Sequence, residues 1–238
     1  MSDRQILVYT ATAAYRHVSI PAGVAAFREL GAEHGFVVHA TEEPLRSLDG
    51  YDAVVFLSTS GEVLDETGRS ALLEHVAGGG GFLGVHSAAC TEYEWPAYGE
   101  LLGARFAGHP PVQPAVLTVD RSHPATAHLP RQWHWTDEWY DFRAPPSDVT
   151  VLATVDETTY TGGGMGADHP LVWYRHHGRG RSFYTALGHA PEAYADPAFR
   201  AHLLGALQWA AAWPEGDVGS PLGVRRSGPP WKCGSGRP

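Results

Sequence analysis

Short apolar runs alternate with amphipathic stretches in the first third of the chain. Four runs have the length and character of a buried strand: residues 5–10, 36–40, 52–57 and 82–86. Between the first two, residues 21–34 carry apolar side chains every three positions from Val24 to Leu30, as one face of a helix does. A second helix is predicted from a cap at Asp65 to about Val76. This alternation predicts a parallel sheet covered by helices, with right-handed crossovers.

The rest of the chain combines further elements with one segment that lacks a regular pattern. The further elements are a short helix at 96–103, strands at 113–119 and 149–155, a hairpin of 171–174 with 181–187, and a helix at 196–212. Residues 120–148 are rich in His, Pro and Trp, which predicts irregular connections. Residues 214–238 contain five prolines and six glycines, so we expect one domain over 1–213 followed by an irregular tail at 214–238.

Composition and charge narrow the class of protein. The 238 residues carry a net charge of −9, from 17 basic and 26 acidic side chains, which argues against nucleic acid as the main partner. No apolar stretch approaches the length of a transmembrane helix, and the N-terminus enters a strand without a signal peptide. Cys90 and Cys233 form neither a metal-type pair nor a disulfide framework. We therefore predict a cytoplasmic protein that has no membrane partner.

Histidine is the compositional outlier, with 14 residues in a chain that is only 18% charged. This bias favours a concave site with metal or proton-transfer chemistry, although several of the histidines fit an ordinary surface equally well. The strongest single candidate is His86, which follows the glycine run 78–81 and the short strand 82–86. A side chain at the end of such a strand lies at the edge of the sheet where ligands bind.

Several motifs, in their order along the chain, carry a resemblance to a known family. They are Tyr15-Arg16-His17, residues 81–88, residues 101–104, Phe106, His109-Pro110, His123-Pro124, Asp137-Glu138, Asp156-Glu157, Asp168-His169-Pro170 and residues 180–189. Over residues 5–213 the chain resembles the ThuA-like (trehalose utilisation) family.

The resemblance implies an α/β fold of the class I glutamine amidotransferase-like type. That fold is a flavodoxin-like three-layer sandwich with a parallel central sheet, here with added β-hairpin structure. Residues 84–88 lie where amidotransferases carry a cysteine in a Gly-x-Cys-x-Gly turn, and His189 lies where they carry a late histidine. Because the cysteine is missing, glutaminase chemistry is not expected.

The same fold places three histidines at strand ends. His17, His86 and His189 are the ligands that we expect for a divalent metal, with zinc, manganese or iron as candidates. The glycine run lacks a following Gly-Lys-Ser/Thr, so it is not a phosphate-binding loop and no nucleotide cofactor is expected. The alternative for His86 is a buried histidine that is hydrogen-bonded to backbone.

The predicted catalytic residues are His86, Glu138 and His109. Glu138 lies in an aromatic setting that can shift the pKa of a carboxyl group, and His109 precedes a proline that fixes its backbone. Five further side chains are predicted to bind substrate: Arg16, Ser87, Asp137, Tyr140 and His169. For each, an ordinary structural role is the alternative, such as an ion pair for Arg16.

The leading hypothesis is an enzyme that hydrolyses, or eliminates a group from, a carbohydrate or sugar-derived small molecule. A non-catalytic sugar-binding or regulatory module is the second hypothesis, and a hydrolase that uses Ser87 or Cys90 as nucleophile is the third. The tryptophans near 133–139 are compatible with a sugar site or with a homo-oligomer interface.

Overall fold

A computed structural model describes residues 4–214, which form a nine-stranded mixed sheet, a two-stranded sheet and four α-helices. Apart from Pro214, the predicted tail 214–238 lies outside the described residues. The strands are β1 Gln5–Tyr9, β2 Val37–Thr41, β3 Ala53–Leu57, β4 Gly81–Val85, β5 Phe106–Gly108, β6 Gln113–Val119, β7 Gln132–Asp137, β8 Asp141–Phe142, β9 Thr150–Val155, β10 His169–His177 and β11 Gly180–Thr185. The helices are α1 Ile20–His34, α2 Glu66–Gly78, α3 Pro96–Leu102 and α4 Pro197–Ala210.

One half of the sheet is parallel, in the order β2-β1-β3-β4-β11. This is the strand order of flavodoxin-like folds, which confirms the predicted three-layer α/β class. Helices cover both faces: α1 and α4 contact each other on one, while α3 packs on the other. Gly84 of β4 makes this close packing feasible, because a Cβ there would lie 2.8 Å from Leu102 Cδ1.

The other half of the sheet is antiparallel and continues as β11-β10-β9-β6-β7. The predicted hairpin is present as β10 and β11, and it joins the two halves.

The prediction of irregular structure over 120–148 is wrong, because this segment contains β7 and β8. In β7, buried Trp133 and half-buried Trp135 alternate with exposed Gln132 and His134, which is the period of a half-buried strand. The surrounding prolines and turns hid this alternation in the sequence.

Helix ends follow local rules that the sequence carries. The Asp65 carboxylate accepts a hydrogen bond from Gly68 N at 2.9 Å and caps α2, as predicted. Asp196 caps α4 in the same way. In the described residues, no helix is long and apolar enough to cross a membrane.

Burial of His202 in α4 predicts a loss of stability in acid. The ring is fully buried, Nδ1 donates to Ala125 O at 2.9 Å, and burial lowers the pKa to about 4 from an ordinary value of 6.5. Between these values the unfolded chain binds a proton that the folded chain does not, so the free energy of unfolding falls as the pH falls from 6.5 to 4. At pH 5 this pKa difference lowers the free energy of unfolding by about 2 kcal/mol.

His202→Gln keeps a donor for Ala125 O but does not titrate. We expect the free energy of unfolding in urea to differ less between pH 7.5 and pH 5 in this variant than it does in wild type. The same change at exposed His134 is the control and should leave the difference unaltered. An undiminished difference in His202→Gln would contradict this account.

Candidate functional site

His86 occupies the turn that follows β4, and its backbone has a positive φ of 51°. This left-handed conformation is uncommon for a residue with a side chain, and such residues cluster at functional sites. The ring is fully buried, and Nδ1 donates a hydrogen bond to Ala186 O at 2.7 Å. Tyr184 OH, from β11, donates to His86 O at 2.8 Å and so ties this turn to the neighbouring strand. Because Nδ1 is the donor in this bond, Nε2 is the ring atom that can present a lone pair to its surroundings.

Four polar groups surround this Nε2 atom. His17 Nε2 lies 3.1 Å away, the Tyr140 hydroxyl 3.0 Å, Glu138 Oε2 3.4 Å and His189 Nδ1 3.4 Å. His189 Nδ1 lies 3.0 Å from Glu138 Oε2. The structure thus brings together all three histidines that the sequence predicted as ligands, together with the predicted acid–base residue Glu138.

The donor set suits a divalent cation. One ligand atom each of His17, His86, Glu138 and His189 lies within 4.8 Å of the others. Three imidazole nitrogens and one carboxylate oxygen are ligands that zinc, manganese and iron accept in proteins. The outer ring nitrogens are also bonded as metal-ligating histidines require: His86 to a backbone carbonyl, and His17 Nδ1 to Ser87 Oγ at 3.2 Å. The sequence analysis named Glu138 as an acid–base residue and did not include it among the candidate ligands.

The topology explains why these side chains meet. His17 follows β1, His86 follows β4 and His189 follows β11, and these parallel strands end at one edge of the sheet. Glu138 follows β7, which lies at the far end of the antiparallel half. Recognition of β7 as a strand would have placed Glu138 at a strand end, next to the other candidates.

Asp137 connects the end of β7 to the end of β11. Its buried carboxylate accepts hydrogen bonds from Glu138 N, Gly188 N and His189 N at 2.9–3.1 Å, and from Trp135 Nε1 at 2.9 Å. Gly188 has a φ of +108°, and a Cβ there would lie 2.8 Å from Tyr194 OH. Asp137 therefore positions Glu138 and His189, and its contact with a substrate stays a prediction.

The charge states of His17 and Glu138 favour cation binding, whereas at His189 a cation would compete with a proton. Burial, and then the neighbouring His86 and His189, lower the pKa of His17 to about 3, so its ring is neutral at pH 7. Burial alone would raise the pKa of Glu138, but the hydrogen bond from His189 and the nearby His86 ring outweigh it and hold that pKa well below its usual range. The hydrogen bond to Glu138 raises the pKa of His189. Neutral imidazole and ionised carboxylate are the forms that bind metals.

His109 and Tyr140 complete the site. His109 Nε2 lies 3.5 Å from Glu138 Oε1, and the His109 imidazole is about one third exposed. Its ring stacks on that of buried Tyr140, with 5.8 Å between centroids. His109 thus contacts Glu138 Oε1 from the solvent side, whereas Glu138 Oε2 faces His86 and His189.

Two predicted substrate-binding residues have other partners. Arg16 forms an ion pair with Glu42 at 2.8 Å and donates to Thr10 O at 3.2 Å. His169 is fully buried, and its Nε2 bonds Tyr140 O at 2.8 Å while Nδ1 lies 2.9 Å from Glu157 Oε1. Neither side chain contacts the cluster, so their roles in substrate binding stay predictions.

The nucleophile hypothesis finds little support in the surroundings of Cys90 and Ser87. Burial raises the pKa of the Cys90 thiol to about 12, so it stays protonated at neutral pH. Ser87 Oγ lies 3.2 Å from His17 Nδ1, but the lowered pKa of His17 makes that ring a weak base.

Asp137→Asn tests the connection between the two strand ends. The amide nitrogen cannot accept a hydrogen bond, so N–H donors at the ends of β7 and β11 lose their partners at a cost of about 1–3 kcal/mol each. We expect a clear drop in thermal stability, and weaker cation binding measured by calorimetry. Asp156→Asn, at an exposed carboxylate that caps a 3₁₀ helix, is the matched control. Equal stability of the two variants would contradict the positioning role.

The crystal structure of a ThuA-like protein from Bacteroides uniformis is 25% identical, with a TM-score of 0.73, over 87% of this chain and 91% of that one. A ThuA-like protein from Parabacteroides merdae is 24% identical, with a TM-score of 0.75, over 89% and 90%. A β-galactosidase from Rahnella sp. R3 is 17% identical with a TM-score of 0.60, and the match covers 93% of this chain but 33% of the galactosidase.

No curated protein sequence matches the chain. The family model described as "ThuA: Trehalose utilisation" matches residues 5–210, which is nearly the whole described region. The fold, the order of the strands and this match agree, and the chain therefore belongs to the ThuA family.

Proposed function

We propose that this ThuA-family chain is an enzyme that acts on a carbohydrate or sugar-derived small molecule, by hydrolysis or elimination, with a divalent cation at the histidine cluster. The observation that carries the proposal is the convergence of His17, His86, Glu138 and His189 at the carboxyl edge of the sheet. A protein that only holds a sugar needs amides and aromatic rings, not three imidazoles and a carboxylate within 4.8 Å.

The four side chains would hold the cation, which when bound supplies Lewis-acid chemistry and a lowered pKa for bound water. The protein's own contribution begins with orientation. The bond from His86 Nδ1 to Ala186 O fixes the ring, and Asp137 fixes the backbone of Glu138 and His189. This leaves little freedom to lose when a ligand arrives.

Proton transfer would fall to His109 and Glu138. Glu138 Oε1 faces His109 Nε2 at 3.5 Å, so a proton that one group accepts can pass to the other. The His109 ring is partly exposed to solvent, whereas the Tyr140 hydroxyl is buried beside His86 Nε2 and can donate a hydrogen bond to a substrate oxygen. Hydrolysis and elimination both need a base and an acid, which this arrangement supplies.

The carbohydrate class is supported by the family description, trehalose utilisation. The similarity to part of a β-galactosidase extends to the fold alone.

The metal content of purified protein tests the proposed cation at the histidine cluster. For the chain prepared without a histidine tag, we expect close to one equivalent of zinc, manganese or iron by mass spectrometry. His86→Ala and His17→Ala should each lose most of it, because each removes a ligand from the cluster. His134→Ala, at an exposed histidine of β7, should keep the wild-type content. Wild-type protein that stays metal-free after incubation with each of the three ions would contradict the proposal.

His109→Gln tests the acid–base assignment without removing a ligand. Wild-type protein loaded with metal is screened against neutral disaccharides and their keto derivatives, with products followed by NMR spectroscopy. On a substrate so found, we expect His109→Gln to lower kcat about 100-fold with metal content unchanged. His134→Gln is the control. A saccharide that binds but is never converted would instead indicate a binding module, and unchanged kcat in His109→Gln would exclude His109 as acid or base.

A further inference from the structure

Tyr15 exposes its ring directly beside the buried cluster. Its side chain contacts His17 edge-to-face, with 4.8 Å between ring centroids and an angle of 83°. Yet Tyr15 is 66% exposed while His17 is 6% exposed. In the described part of the chain, few large apolar side chains are exposed to solvent: Tyr15, Val18, Val37 and Val112. Two of these four flank His17 in sequence, and a third follows His109 by three residues.

The backbone beneath this ring is held in place. Ser60 Oγ donates to Tyr15 O at 2.6 Å, and Ala13 N donates to Ser60 O at 2.7 Å. Gly61 packs against the same segment, where a Cβ would lie 3.0 Å from Ala14 N. The exposure of Tyr15 therefore belongs to an anchored loop, so little backbone freedom would be lost if a ligand packed on the ring.

The charge around the cluster narrows the class of ligand. Arg16, which lies between Tyr15 and His17 in sequence, is engaged by Glu42 and by Thr10 O. Within residues 5–214, no hydrogen bond or ion pair links an arginine to His17, His86, Glu138 or His189. A phosphate or carboxylate group on the ligand would thus have the proposed cation, but no guanidinium, to pair with.

Resting on the proposed function, we propose that Tyr15 is the binding platform for the sugar ring, and that the ligand is a neutral saccharide. A pyranose carries hydroxyl groups around its edge and an apolar C–H surface on its face. Its hydroxyl groups suit the polar cluster, and its apolar face suits the exposed ring of Tyr15 next to that cluster. Burial of the exposed aromatic surface on binding stabilises the complex.

Calorimetric titration of the full-length, metal-loaded chain tests this assignment. The probes are trehalose, maltose and cellobiose, with glucose 6-phosphate compared against glucose. For the disaccharide that binds wild type most tightly, we expect Tyr15→Ala to raise Kd about tenfold, which corresponds to about 1.4 kcal/mol. Tyr15→Phe keeps the aromatic face and should stay within about twofold of wild type. Val37→Ala, at another exposed apolar residue, is the matched control. Glucose 6-phosphate should bind no more tightly than glucose.

Metal content and thermal stability, measured for every variant, separate the two proposals. If wild type holds metal and binds a disaccharide but Tyr15→Ala binds it equally well, the platform assignment is wrong and the proposed function stands. Tighter binding of glucose 6-phosphate would overturn the neutral class alone. If the metal-loaded wild type binds none of the saccharides, the platform assignment fails, and the proposed function then depends on the screen of keto derivatives.

Discussion

The hydrogen bond from His86 Nδ1 to the carbonyl of Ala186 is the interaction on which the candidate site depends. It joins the turn after β4 to the end of β11 at 2.7 Å, and it settles which ring nitrogen carries the proton. With that proton committed, Nε2 faces His17, Glu138 and His189 as an acceptor. The positive φ of His86 is the strained conformation that turns the ring inward, and the surrounding packing sustains it.

A second constraint comes from the junction of the two halves of the sheet. The parallel half supplies the histidines, whereas the carboxylate comes from β7 in the antiparallel half. Asp137 bridges them, because one carboxylate accepts N–H bonds from both strand ends. A buried carboxyl group needs such bonds, because they replace the hydrogen bonds to water that burial removes. The antiparallel strands thus supply Glu138 to the candidate site and also cover part of the core.

Burial and charge act together in the cluster. Burial keeps His17 neutral, while the hydrogen bond from His189 and the nearby His86 ring keep Glu138 ionised despite burial. The result is a pocket of imidazole nitrogens around one carboxylate, open towards His109 and bordered by the exposed ring of Tyr15. Under the proposed function, the buried polar cluster would contact the hydroxyl groups of a sugar ring, and Tyr15 would contact its apolar C–H face.

The sequence by itself determined the α/β class, most of the strands and helices, and the three histidines, because strand length, helix period and caps such as Asp65 are local properties. It also placed Asp137 and Glu138 among the candidates, but it missed β7, whose alternation is interrupted by prolines and turns on either side. Only the tertiary structure decided that Glu138 joins the histidines, that Asp137 positions its neighbours, and that Arg16 pairs with Glu42. The first two outcomes depend on contacts between residues more than 50 positions apart, such as His189 N to Asp137, and the third pairs residues from two different strand ends, so a single sequence carries no local signal for them.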